Sequence, residues 1–164
     1  MDERDDPKDV SRIPTVKDLV SLCRHLNQQK AKYIVIGGFA VIHHGYVRGT
    51  ADIDLLISKE KENIERIKQA LTYLEDKAAQ EIQPEDLMHY TVVRVADEIV
   101  VDLMAQACGL SFEDLRRETD PSEIDGVLIP YLSAEGLLRT KMGVRPKDVE
   151  DRNFLERLIK TKKS

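Results

Sequence analysis

The chain alternates short apolar runs with longer stretches in which apolar residues recur every three or four positions. Val16, Leu19, Val20, Cys23 and Leu26 fall on one face at helical spacing, and Thr15 stands where an N-cap belongs. A helix of about 15 residues is expected there. Tyr33-Ile34-Val35-Ile36 is a continuous apolar run closed by Gly37-Gly38, the pattern of a buried strand. Phe39 to His44 predict a helix directly after the glycines, stopped by Gly45. Ile53 to Ser58 reads as the next strand. Lys59 to Asp76 reads as an amphipathic helix with Ile64, Ile67, Leu71 and Leu74 along one stripe.

Met88 to Val95 and Glu98 to Met104 read as two strands of a hairpin that turns at Ala96-Asp97. Phe112 to Glu118 suits a short helix. Val127 to Leu132 is apolar, but Pro130 lacks an N–H and predicts an edge strand or an extended loop. Ser133 can cap a helix through about Met142, and Pro146 suits the first turn of a last helix carrying Val149, Leu155, Leu158 and Ile159. This order predicts an α/β (α+β) fold, a mixed β-sheet flanked by helices. It is expected to form a single domain over residues 1–164, with the charged residues 1–12 frayed and residues 133–164 forming C-terminal helices.

Composition narrows the function more than the fold. Hydrophobic residues are 41% and charged residues 34%, a globular balance, and the absence of Trp leaves the core to Ile, Val, Leu and Met. The net charge of −5 weighs against a general nucleic-acid coat protein, while a local basic patch could still hold RNA or a polyphosphate. No apolar run approaches the roughly 20 residues of a membrane helix. Met1 to Asp9 is acid-rich and lacks the apolar core of a signal peptide. Cys23 and Cys108 have no metal-type spacing and read as free thiols, so a cytoplasmic location is expected.

The chemistry-bearing stretch is Gly37-Gly38 followed, past a spacer, by Asp52-Ile53-Asp54 and then Leu55-Leu56-Ile57. Side chains alternate along a strand, so Asp52 and Asp54 share a face while Ile53 points to the core. Adjacent carboxylates repel unless a cation sits between them or one is protonated, and oxygen donors of this kind suit Mg²⁺ or Mn²⁺. A solvent-exposed strand end is the other reading of the pair. Strand, Gly-Gly, helix leaves backbone N–H groups open to a phosphate, though the same glycines also suit a tight turn. Neither G-x-x-x-x-G-K-[ST] nor G-x-G-x-x-G is present, which removes a P-loop and a dinucleotide-binding turn. Asp102 sits alone in Ile99-Val100-Val101-Asp102-Leu103-Met104. If that strand lies beside the one carrying Asp52 and Asp54, the three acids converge; otherwise Asp102 bonds a turn at a strand end. His43-His44 cannot chelate one ion from a helix, because adjacent residues point about 100° apart. Lys160, Lys162 and Lys163 read as solvated charge, with an option on RNA.

The pattern from Gly37-Gly38 to Asp52-Ile53-Asp54 and a later strand acid resembles the nucleotidyltransferase superfamily related to DNA polymerase beta. The fuller text IGGFAVIHHGYVRGTADIDLLI resembles its small bacterial branch, which includes AbiEii-type toxins of toxin–antitoxin systems. KMGVRPKDVED, with Lys141, Arg145, Lys147, Asp148 and Asp151, is similar to that branch's C-terminal lysine and K-D-x-x-D segment. The resemblance covers residues 33–58, 99–104 and 137–155. It implies that Gly37 and Gly38 cradle a nucleoside triphosphate and that Asp52, Asp54 and Asp102 ligate two Mg²⁺ ions, with Asp102 as general base. It further implies transfer of NMP from an NTP to an acceptor (an RNA end, a protein or a small-molecule hydroxyl) with release of pyrophosphate. Arg48 and Thr50 precede the acids in the R-x-T-x-D-x-D order of that branch. Arg48 can meet a phosphate or a local acid, and Lys141 and Lys147 can meet the triphosphate or lie on the surface. Asp148 and Asp151 share a helix face, where they can complement the dipole. The competing reading is a non-catalytic nucleotide-binding or regulatory partner protein of a toxin–antitoxin pair.

Overall fold

The structure, a computed structural model, describes residues 10–163. Six strands form one mixed sheet in the order β3-β4-β2-β1-β8-β7. They are β1 (Tyr33–Ile36), β2 (Ile53–Ile57), β3 (Val93–Ala96), β4 (Val100–Met104), β7 (Thr119–Ile124) and β8 (Val127–Leu132). β5 (Gln106–Ala107) and β6 (Leu110–Ser111) make a small separate hairpin. β1 pairs antiparallel with β2 and parallel with β8; β2 pairs parallel with β4. Every residue of β1 is buried, as its unbroken apolar sequence requires of a strand covered on both faces.

The helices are α1 (Val16–Gln28), α2 (Gly37–His43), α3 (Lys61–Ala70), α4 (Asp86–His89), α5 (Phe112–Leu115), α6 (Ala134–Thr140) and α7 (Pro146–Lys163). α1 packs against α3 and β8, whereas α6 packs against both α2 and α7. Leu19, Leu22 and Leu26 of α1 and Ile64 and Ile67 of α3 are buried, as their helical spacing predicts. The α1 start is a capping box: the Asp18 carboxylate accepts from Thr15 N–H at 2.7 Å, and Thr15 Oγ1 accepts from Asp18 N–H at 3.4 Å. Arg12 donates two hydrogen bonds to the same carboxylate, at 2.7 and 2.6 Å, and these hold Asp18 well down, at about 2. No helix among the described residues is long and apolar enough to cross a membrane.

Several expectations change. Residues 1–9 of the expected frayed start lie outside the described residues, but Ser11 and Arg12 are not frayed. Ser11 Oγ donates to Asp97 O at 2.6 Å and Arg12 N–H to Glu98 O at 2.9 Å. The helix expected to run to Asp76 ends at Ala70 and tightens into a 3₁₀ turn, Leu71–Tyr73, that keeps Leu71 buried. Met88 and His89 belong to α4, so β3 begins only at Val93. β8 is an interior strand, not an edge, because β7 covers its outer side. Pro130 is accommodated because it faces another proline, Pro121, and β1 meets β8 only at Val35↔Tyr131, so neither neighbour depends on its missing N–H. α6 stops at Thr140, short of Met142.

Thr15→Ala removes one half of the α1 capping box. It should cost about 1 kcal/mol, read as a fall of about 2–4 °C in melting temperature. An unchanged melting temperature would show that the box contributes nothing measurable.

Candidate active site: a carboxylate cluster in a cationic cleft

The parallel register of β2 on β4 sets Asp54 directly beside Asp102, with Ile53 beside Val101. Alternation then brings Asp52 to the same face, and one carboxylate oxygen from each of Asp52, Asp54 and Asp102 lies within 4.8 Å of the others. Asp102 is only 5% exposed. Burial, first, and then the charges of Asp52 and Asp102 push the Asp54 carboxyl upward, to about 8; Lys141 pulls the other way.

Gly37 explains how Asp54 fits. A Cβ at Gly37 would lie 2.0 Å from Asp54 Oδ2, and the backbone there has φ +69°, a conformation that favours glycine. A Cβ at Gly38 would lie 2.5 Å from Thr50 Oγ1. Both glycines sit in the first turn of α2, which starts two residues earlier than Phe39. Thr50 Oγ1 donates to Asp52 O at 3.1 Å, fixing the loop that enters β2.

Across the cleft stand the cations. Arg48 donates to both oxygens of Asp151 at 2.9 Å, and Lys141 Nζ lies 3.1 Å from the same carboxylate and 3.9 Å from Asp148. Asp151 is wholly buried on α7 and Asp148 nearly so; Asp148 lies in the first turn, where the dipole reading fits it, while Asp151 serves as the partner of Arg48 and Lys141. Arg145 donates to Asp148 at 3.1 Å, and Arg152 Nη1 donates to the carbonyls of Lys141 and Gly143 at 2.6 and 3.1 Å. Lys147 lines the cleft as well. All the candidate residues Gly37, Gly38, Arg48, Thr50, Asp52, Asp54, Asp102, Lys141 and Lys147 line one cleft of about 450 Å³. His43 is elsewhere, stacked on Tyr131 with ring centroids 3.9 Å apart.

Arg94 was not visible in the sequence. It faces Asp102 across β3–β4, donating from Nε and Nη2 to the two Asp102 oxygens at 2.9 Å each, and from Nη2 to Asp52 Oδ2 at 3.3 Å. A two-residue turn at Ala96-Asp97 would have put Arg94 opposite Ile99. The turn instead spans residues 97–99 and pairs Ala96 with Val100, which carries Arg94 to Asp102. The buried Asp97 carboxylate holds that longer turn in place, accepting from the N–H groups of Asp76, Ala78 and Glu98 at 2.8, 2.9 and 2.7 Å.

The chain superposes over 90% of its length on a candidate nucleotidyltransferase of Thermotoga maritima, with a TM-score of 0.51, 18% identity and 88% of that chain covered. This is a nucleotidyltransferase-like fold. An antigenic nucleotidyltransferase-like protein from Paracoccidioides brasiliensis aligns at a TM-score of 0.49 and 18% identity, covering 87% of this chain and 76% of that one. No protein-family profile and no curated protein sequence matches the chain. Within this nucleotidyltransferase-like fold, the three-acid cluster is the group of described residues able to hold a metal ion. The donor set is of the kind that suits a hard divalent cation: all three donors are carboxylates, and burial with the neighbouring acids disfavours the charged form of Asp54.

The sign of the Asp54 shift gives a pH test. A carboxyl whose pKa is raised by folding contributes stability below its unfolded value, and that stability is lost as pH rises toward about 8. In cation-free buffer, Asp54→Asn should therefore melt higher than wild type, with a gap that is small near pH 4 and widens toward pH 8. A gap that is constant or narrows with pH would contradict the assigned cost.

Proposed function

We propose that the chain is a metal-dependent nucleotidyltransferase that moves NMP from an NTP to an acceptor, releasing pyrophosphate. The observation that carries this reading is that three converged carboxylates and the cations Arg48, Lys141, Arg145 and Lys147 line one cleft. Arg48, Lys141 and Arg145 have structural partners in Asp148 and Asp151, yet they and Lys147 also line the cleft that holds the acids, the combination that a metal-bound polyphosphate would use.

Asp52, Asp54 and Asp102 would hold Mg²⁺ or Mn²⁺, two ions in the arrangement the sequence resemblance implies. Bound there, the ions supply charge neutralisation for the triphosphate and acidify the acceptor hydroxyl. Arg48 and Lys141 are pre-ordered by the buried Asp151, so little side-chain freedom is lost when they meet phosphate oxygens. The sequence resemblance has Gly37 and Gly38 cradle the triphosphate; their lack of a Cβ makes room for the Asp54 and Thr50 side chains on the cleft wall. As the acceptor oxygen bonds to the α-phosphorus, the bond to the bridging oxygen of pyrophosphate breaks. In this reading Asp102 accepts the acceptor's proton at a carboxylate oxygen once Arg94 no longer holds both of its oxygens. The acceptor is an RNA end, a protein or a small-molecule hydroxyl. A second cavity of about 500 Å³ is lined by Ser58, His89, Tyr90, Thr91 and Gln106 among others and shares no lining residue with the cleft. The text around Gly37 and Asp54 supports membership of the AbiEii-like branch and, with it, a toxin–antitoxin setting.

The test is incubation with each labelled NTP, Mg²⁺ or Mn²⁺, and cell RNA and protein, following pyrophosphate release and label transfer. Asp52→Ala and Asp102→Ala should each lower transfer by about 100-fold or more, the scale of losing a metal's stabilisation of the transition state. A folded protein that releases no pyrophosphate with any nucleotide would favour the non-catalytic partner protein.

A further inference from the structure

Arg94 stands apart from the other cations of the cleft. Arg48, Lys141 and Arg145 are paired with Asp148 or Asp151, which lie outside the carboxylate cluster. Arg94 is paired with the cluster itself, through both oxygens of Asp102 and one of Asp52. Those are oxygens that a divalent cation would use. A cation entering beside the guanidinium would meet a like charge at contact range, over a carboxylate, Asp102, that is itself buried. The two positive groups therefore compete for the same carboxylates.

Arg94 is also built to yield. Its side chain is 59% exposed, against 15% for Arg48, and β3 is an edge strand, so the guanidinium can swing outward without disturbing a packed neighbour. Its backbone stays fixed by the pairing of Val93–Ala96 with β4, so a released guanidinium remains at the cleft. An arginine there presents a planar fork that matches phosphate oxygens.

We propose that Arg94 is an exchangeable counter-ion: it neutralises Asp52 and Asp102 while the cluster holds no divalent cation, and on cation binding it is released to the phosphates of the nucleotide. This rests on the metal and nucleotide reading above. It adds a coupling that the reading alone does not contain. Cation binding frees a phosphate-binding group, and phosphate binding keeps that group off the carboxylates, so each ligand strengthens the other by the same factor. The competing arrangement keeps Arg94 in place as a positioning residue that aligns Asp102, with the metal taking the carboxylate lone pairs that the guanidinium leaves open. The two arrangements predict opposite signs for the effect of removing Arg94.

The experiment is calorimetric titration of the full chain with Mn²⁺, without nucleotide, for wild type, Arg94→Ala and Arg94→Gln. Removing the competing charge should tighten Mn²⁺ binding by about tenfold or more. With Mg²⁺ present, inorganic triphosphate, a probe indifferent to the base, should bind the variants about tenfold more weakly. If alanine leaves too much uncompensated charge to fold, glutamine keeps a hydrogen-bond donor at the site and carries the test. Unchanged or weaker Mn²⁺ binding would overturn the exchange, and unchanged triphosphate binding would overturn the release. Failure of all three proteins to bind Mn²⁺ would overturn the inference together with the metal reading beneath it. Altered affinities in a protein that transfers no nucleotide would leave the exchange standing and remove only catalysis.

Discussion

Three carboxylates held within 4.8 Å of one another repel, and much of the architecture around them can be understood as holding that repulsion in place. The β2–β4 register creates it by setting Asp54 beside Asp102. A parallel pair with both strands buried in the sheet cannot slip by one residue to relieve it. A slip would turn Ile53, Leu55, Val101 and Leu103, all buried, onto the wrong face. The hydrophobic core therefore holds the acids together against their own charge. Gly37 gives Asp54 room, Lys141 offsets part of its burial, and Arg94 spans Asp52 and Asp102. Crowding of this kind costs stability, and it is the reason the cluster is proposed as the functional centre.

The second layer is ionic and lies on the C-terminal helices. Asp151 is fully buried between Arg48, from the loop ahead of β2, and Lys141, at the end of α6. One carboxylate thus ties three parts of the chain that are distant in sequence, and it orders two cations on the cleft wall. Buried ion pairs add little net stability, because desolvation offsets their attraction. Their value here is positional. Gly143 belongs to the same construction, since a Cβ at that position would come 2.5 Å from Asp148 Oδ2.

The core of the fold was legible because its signals are local. The apolar run of β1, the helical stripe of α1 and the D-x-D at the head of β2 each follow from side-chain periodicity. β7 was missed because Thr119–Ile124 is polar and contains a proline. Its signal lay in the turn, since Asp125 and Gly126, at φ +51° and +78°, form the Asp-Gly corner of a tight hairpin. The placement of Asp102 beside Asp54 was readable only as a condition, because strand order is a long-range property. Arg94 was hidden by the turn: it starts one residue later and is one residue longer than Ala96-Asp97, which together move the partner of Arg94 from the apolar Ile99 to Asp102. Asp151 was readable as a helix acid, but its burial depends on Arg48, 103 positions away.

The central claim is that Asp52, Asp54 and Asp102 together form a divalent cation site. Crystals of the full chain soaked in Mn²⁺ test it most directly, through the anomalous signal of the metal. The account predicts a peak bounded by oxygens of all three aspartates, with Arg94 withdrawn from Asp102. Strong anomalous density elsewhere, or none at the cluster with Arg94 still bound across Asp52 and Asp102, would contradict it.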